Sequence, residues 1–167
     1  VYVQVRNKTH LADVFVKPQI HPLQVTTEIT VQNISDGITL QQEIRKKGEG
    51  AYSLLGQKPV KQTNVQTVFP VQEICLWEPE NPYLYEIRTS LWKNGEMIDA
   101  RVDITGFREA GFRKDGFYLN GKKLRLRGLN RHQSYPYVGY AAPASMQIFD
   151  ADILKKELGV NAVRTSH

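Results

Sequence analysis

Residues 23–45, LQVTTEITVQNISDGITLQQEIR, alternate apolar and polar positions with a period of two on either side of a turn. Leu23, Val25, Ile29 and Val31 alternate with Gln24, Thr26, Glu28, Thr30 and Gln32, the pattern of a half-buried antiparallel strand. Residues 33–37 carry turn chemistry, Asp36-Gly37 included. Beyond them Ile38, Leu40, Gln42 and Ile44 face one way, against Thr39, Gln41, Glu43 and Arg45.

The same grammar extends both ways. Upstream, Asp13-Val14-Phe15-Val16-Lys17 reads as a short strand stopped by Pro18, and residues 1–6, VYVQVR, as an alternating strand joined to it by a connection at residues 7–10. Downstream, a loop rich in Gly and Lys (residues 46–61) holds a weak strand signal at residues 52–55, and strand character resumes over residues 63–71. Residues 78–82 form a turn whose prolines, Pro79 and Pro82, cannot sit in a central strand. Tyr83, Tyr85, Ile87, Thr89 and Leu91 make the next apolar face, and Asn94-Gly95 is the strongest hairpin signal in the chain. Ile98, Ala100, Val102 and Ile104 return on the partner strand. About seven short strands within roughly 100 residues describe an immunoglobulin-like β-sandwich.

After Phe112 the pattern changes. Phe117-Tyr118-Leu119 and Leu124-Arg125-Leu126 flank Asn120-Gly121, a second hairpin, and residues 127–132 lead from it into a loop holding Pro136, Gly139 and Pro143. Residues 145–158 read as the one convincing helix, with Met146, Phe149, Ile153, Leu154 and Leu158 in one apolar stripe. Ser145 is the expected N-cap, Asp150 and Asp152 lie early, Lys155 and Lys156 late, and Gly159 supplies the C′ residue. Strand, loop, helix and a further apolar run at residues 160–163 make a β-α-β unit.

Bulk composition narrows the function classes. With 41% hydrophobic and 23% charged residues the chain is globular. Its net charge of +5 is spread out, and the densest strand group, Lys122, Lys123, Arg125 and Arg127, reads as a solvated face; no nucleic-acid partner is expected. A single cysteine, Cys75, excludes an internal disulfide or a CxxC site, and its neighbours Ile74, Leu76 and Trp77 predict a buried structural thiol. No apolar run is long enough to span a membrane, and no membrane partner is expected.

Five segments, in order, resemble glycoside hydrolase family 2, the family of β-galactosidases, β-glucuronidases and β-mannosidases. Residues 76–85, LWEPENPYLY, resemble its "LW.P..P.LY" segment, and Gly106-Phe107-Arg108 its "GFR" exit from an immunoglobulin-like domain. Residues 117–122, FYLNGK, and 127–132, RGLNRH, are similar to its entry into a catalytic barrel, and residues 161–167, NAVRTSH, to its "NavRtSHyp" signature. The resemblance implies a mainly β chain: an immunoglobulin-like sandwich over residues 11–112, preceded at residues 1–10 by the tail of a jelly-roll domain. A hairpin and the first β-α-β of a truncated (β/α)8, or TIM, barrel follow at residues 113–167.

The activity so implied is carbohydrate metabolism by retaining hydrolysis of a β-glycoside, with a β-galactoside as the expected substrate, in a longer parent enzyme of which this chain is a fragment. Such a reaction uses two carboxyls about 5 Å apart; the family's catalytic glutamates belong to later barrel strands, so the fragment itself is expected to be inactive and to hold no catalytic residue. Arg164 and His167 match positions that line the family's sugar pocket, the arginine orienting a carboxylate and the histidine bonding sugar hydroxyls. Asn130 and His132 match a pocket-edge motif. Gln133 stands where family members often carry Glu, which puts a charge-dependent role there in doubt. The chain itself is expected to bind no cofactor or metal, while the resemblance admits a divalent cation in the parent enzyme. Tyr135, Tyr137 and Tyr140 are open to two readings, stacking on sugar faces or packing the loop.

The alternative to an enzyme fragment is a non-catalytic carbohydrate-binding or domain-positioning sandwich, which an exposed aromatic row on one strand face would favour. Two barrel strands and one helix cannot close a barrel. The expected partners are therefore the β-linked sugar, the rest of the jelly-roll and barrel, and a second copy of the chain in a homo-oligomer. The sequence leaves cytoplasm and periplasm both open.

Overall fold

The computed structural model describes residues 3–166 and divides the chain into two compact units, residues 1–109 and 110–167. The first is a sandwich of two antiparallel sheets. One has the order β1 (His10–Ile20), β2 (Leu23–Gln32), β5 (Asn64–Pro70); the other runs β4 (Ser53–Pro59), β3 (Ile38–Lys46), β6 (Tyr85–Lys93), β7 (Glu96–Thr105). Seven strands in two sheets, with the chain crossing between sheets after β2, β4 and β5, form an immunoglobulin-like sandwich.

The alternation in residues 23–45 decides which side chains meet between the sheets. Val25, Ile29 and Val31 of β2 and Ile38, Leu40, Gln42 and Ile44 of β3 are all buried. Gln42 is the unexpected member, since a buried amide is costly unless every polar atom is paired. Its Nε2 donates to Thr27 Oγ1 and Thr89 Oγ1, both at 3.0 Å, and its Oε1 accepts from Thr67 Oγ1 at 2.6 Å. One amide thereby ties β3 and β6 of one sheet to β2 and β5 of the other. On either side lie two apolar clusters, one around Leu11, Val31, Leu40 and Leu91, the other around Val25, Ile87, Tyr85 and Phe107. Phe107, wholly buried, meets Tyr85 edge to face at 5.5 Å.

Several local expectations are corrected. Residues 3–7 form no strand; Val3 and Val5 are exposed, and apolar alternation without a pairing partner does not make a strand. Pro18 does not stop β1, which runs on to Ile20, because β1 lies at the sheet edge, where a missing N–H is tolerated. In β7 the register shifts, with Leu91 opposite Asp99 but Trp92 opposite Met97, so Ile98 is an extra residue. A bulge of one residue reverses the phase of every side chain after it; Ile98 packs on the core, whereas Ala100, Val102 and Ile104 are exposed. Cys75 is exposed, not buried: Ile74 and Leu76 turn to the core, and the residue between them turns out.

The second unit begins with an antiparallel meander, β8 (Ala110–Arg113), β9 (Gly116–Leu119) and β10 (Lys122–Lys123). Asn120 and Gly121, at φ 50 and 76, form the turn between β9 and β10, both positive as a two-residue hairpin loop requires. A parallel pair follows, β11 (Gly128–Arg131) and β12 (Ala162–Thr165), connected through α1 (Ala144–Asp152) and a π-helical turn, Ile153–Glu157. The cap of α1 is Pro143 and not Ser145, which lies inside the helix; no side chain caps the start. Asp150 and Asp152 consequently fall in the last turn of α1, not the first. Phe149 and Leu158 of the expected apolar stripe are exposed, while Met146, Ile153 and Leu154 are half-buried. Gly159 ends the helical run at φ 63, and the Val160 N–H reaches back to the Leu154 carbonyl at 2.9 Å.

Candidate functional site

The parallel pair brings two of the residues singled out in the sequence side by side. The register sets Gly128 opposite Ala162, Leu129 opposite Val163, Asn130 opposite Arg164 and Arg131 opposite Thr165. At Gly128 a Cβ would lie 3.0 Å from the Ala162 carbonyl oxygen, so a larger residue would push the two strands apart by a few tenths of an ångström. The Asn161 side chain locks the start of the ladder: its Oδ1 accepts from the Arg127 N–H at 2.7 Å and its Nδ2 donates to the Arg125 carbonyl at 3.0 Å. The asparagine that opens residues 161–167 is therefore a backbone clamp.

Successive side chains on a strand point to opposite faces. Arg131 faces α1, where its Nε and Nη2 donate to Asp150 Oδ2 at 2.9 and 2.7 Å and its Nη2 also donates to Gln147 Oε1 at 2.8 Å. Tyr135 closes the cluster by donating its hydroxyl to Asp150 Oδ2, with Arg131 Nη2 2.6 Å from the same hydroxyl. These bonds hold the Asp150 carboxyl below the usual carboxylate range, the Tyr135 hydroxyl contributing most and Arg131 next. The Tyr135 hydroxyl is in turn raised, first by its bond to Asp150. Since Arg131 turns to the helix, Asn130 and its neighbour Arg164 occupy the opposite face, at the C-terminal ends of both strands, and both are exposed. His132 follows directly, also exposed. His167 lies outside the described residues.

Arg131 and Gln147 carry no role in the sequence reading, Asp150 is read there only as a helix charge and Asn161 only as part of a motif, and of the two readings open for Tyr135 the bonds to Asp150 and Arg131 favour packing. The spacing of Gln147 and Asp150, three apart on one helix face, was the available signal; their partner Arg131 lies 16 and 19 residues away. Asn130, His132 and Arg164 offer no carboxylate, and among the described residues no three His, Cys, Asp or Glu side chains converge.

Comparison with known proteins decides what this arrangement belongs to. Residues 9–108 match the family described as glycosyl hydrolases family 2, and residues 111–167 match the TIM barrel domain of glycosyl hydrolases family 2. The chain belongs to glycosyl hydrolase family 2. Within the family 2 framework, β11, α1 and β12 are the start of the barrel. A β-galactosidase of Thermoanaerobacter pseudethanolicus is 40% identical over 173 residues, a match covering all of this chain and 23% of that protein. Another, from Thermoanaerobacterium thermosulfurigenes, is 54% identical over 110 residues, covering 66% of this chain and 15% of that protein. Among solved structures, the family 2 β-galacturonidase of Eisenbergiella tayi bound to galacturonate superimposes with a TM-score of 0.75 at 30% identity, over 97% of this chain and 30% of that one. The chain thus spans under a quarter of the length of these two curated relatives.

Proposed function

We propose that this chain forms part of a retaining β-glycosidase acting on a β-galactoside, and that it contributes one wall of the sugar site and not the reacting carboxyls. The observation that carries this is the pairing of Asn130 with Arg164 on the ladder face turned away from α1. In an α/β barrel the face away from the helices is the interior, and the C-terminal ends of the strands build the active site. Arg164 would orient and charge-stabilise a nucleophilic carboxylate. Asn130 and His132 would border the pocket, and His167 would bond sugar hydroxyls. The β-galactosidases at 40% and 54% identity support the choice of sugar.

Retaining hydrolysis needs two carboxyls about 5 Å apart, one as acid/base and one as nucleophile. The carboxylates of the second unit are placed otherwise. Asp115 is bound to Tyr118 and Lys123, Asp150 to Arg131 and Tyr135, and Asp152 to Lys156, while Glu157 lies in the π-helical turn. None stands directly at the C-terminal end of β11 or β12, so the chain by itself should not turn over substrate.

The test has two arms. The chain alone, given a chromogenic β-galactoside, should release no chromophore. In the intact enzyme Arg164→Ala should lower kcat/KM by about 10²–10³, with the β-anomer still the first product. Turnover by this chain alone, or an Arg164→Ala enzyme as fast as the unaltered one, would overturn the reading.

A further inference from the structure

The β11–β12 ladder carries one rung more than its paired residues. Past Arg131 and Thr165, the Ser166 N–H donates to the Arg131 carbonyl at 3.1 Å. Ser166 stands at φ 62, a left-handed conformation that non-glycine residues seldom adopt and that persists only where the surrounding structure imposes it. The bond to Arg131 holds it there, so the backbone path at the end of β12 depends on where the Arg131 carbonyl lies.

Arg131 is fixed in turn from its other end. Its side chain, 15% exposed, sends Nε and Nη2 to one oxygen, Asp150 Oδ2, which also accepts the Tyr135 hydroxyl; Nη2 donates to Gln147 Oε1 as well. Taking a charged pair partly out of water is costly, and an apolar pair of similar volume would hold strand to helix as firmly. What the pair adds is direction, because three donors on one carboxylate oxygen leave the planar guanidinium a single orientation. The residues on either side of Arg131 are those of the candidate site: Asn130, opposite Arg164 on the ladder, precedes it, and His132 follows. Any shift of Arg131 is passed along the chain to Asn130 and His132, and across the ladder to Arg164 and Ser166.

We propose that Arg131 and Asp150 are positioning residues for the sugar site: Asp150, on α1, fixes the Arg131 side chain, and Arg131 sets the placement of Asn130 against Arg164 at the ends of the two strands. The proposal rests on the glycosidase reading above. Both residues act through others. Arg164 is read there as stabilising a nucleophilic carboxylate, whose charge changes during the reaction. A small displacement of Arg164 therefore weakens the transition state more than the bound substrate, and the loss falls on kcat.

Two variants of the intact enzyme test this. Asp150→Asn keeps the shape of the side chain and removes its charge, and Arg131→Lys keeps the charge and removes the fork. Hydrolysis of a chromogenic β-galactoside is counted per active site labelled to completion by a fluorinated β-galactoside that traps the covalent intermediate, so unfolded molecules do not enter kcat. Each variant should lose about tenfold in kcat with KM within about twofold, and hydrogen exchange at the Ser166 amide should quicken. A role in folding alone would leave fewer labelled sites, each as fast as before. That result, a loss confined to KM, or a Ser166 amide that exchanges at its former rate overturns the proposal while the glycosidase reading stands. An unaltered enzyme that neither hydrolyses the galactoside nor takes the label overturns that reading, and this proposal with it.

Discussion

Replacing Gln42 with Met keeps the volume between the sheets and removes the amide that joins them. Gln42 is wholly buried and makes three hydrogen bonds, to Thr27, Thr67 and Thr89, all three themselves buried. At about 1 kcal/mol net for each bond, the substitution should cost about 3 kcal/mol. With a urea slope of about 2 kcal/mol per molar, the unfolding midpoint should fall by about 1.5 M. Both tryptophans, Trp77 and Trp92, lie in the sandwich unit, so fluorescence reports this transition alone. The cost lies mainly in stranded hydroxyls, since removing one partner of a buried bond is worse than removing both. Adding Thr27→Val, Thr67→Val and Thr89→Val to Gln42→Met should therefore recover most of the loss. A midpoint shift below about 0.3 M for Gln42→Met alone, or a further fall on adding the three valines, would refute the account of the amide as a cross-sheet tie.

Further outcomes follow from the outer face of the same sheet and from the barrel ladder. Arg88 donates to both carboxylate oxygens of Glu43, at 2.7 and 2.8 Å, and these bonds hold the Glu43 carboxyl below its ordinary value despite its burial. A folded pKa below the unfolded one contributes stability that is present above the unfolded value and lost as pH falls through the folded one. Glu43→Gln should accordingly flatten the decline of the urea midpoint below about pH 4.5, and curves that stay parallel would contradict the assignment. In the barrel unit, Asn161→Ala removes the bond to the Arg127 N–H and the bond to the Arg125 carbonyl. It should destabilise this unit by about 1–2 kcal/mol and speed hydrogen exchange at the Arg127 amide; unchanged protection there would show that the clamp is not what holds the ladder's start.

Much of this molecule is written in short-range pattern. The period-two alternation of residues 23–45 depends only on neighbouring positions, and it led directly to the buried faces of β2 and β3. Turn dipeptides act equally locally: Asn94-Gly95, at φ 53 and 82, and Asn120-Gly121 both adopt the positive dihedrals that their residue types favour. The motif segments carried family membership for the same reason, since a run such as residues 161–167 can be recognised without its surroundings.

What the pattern left open depends on partners distant in sequence. Whether Pro18 ends a strand depends on whether that strand lies at an edge, and whether Val102 and Ile104 are buried depends on an extra residue in one strand of a pair. Gln42 is a liability in the sequence and a tie in the fold, because threonines 15, 25 and 47 residues away come to meet it. The site region divides the same way. Asn130 and Arg164 could be named from the sequence, but their adjacency is a product of the β11–β12 register. Arg131 shows which face of that ladder is turned to the helix, and Tyr135 separates from Tyr137 because only one of them reaches Asp150. Residue types and their spacing set local conformation; the pairing of chain segments far apart in sequence decides which side chains meet, and with them which face can hold a substrate.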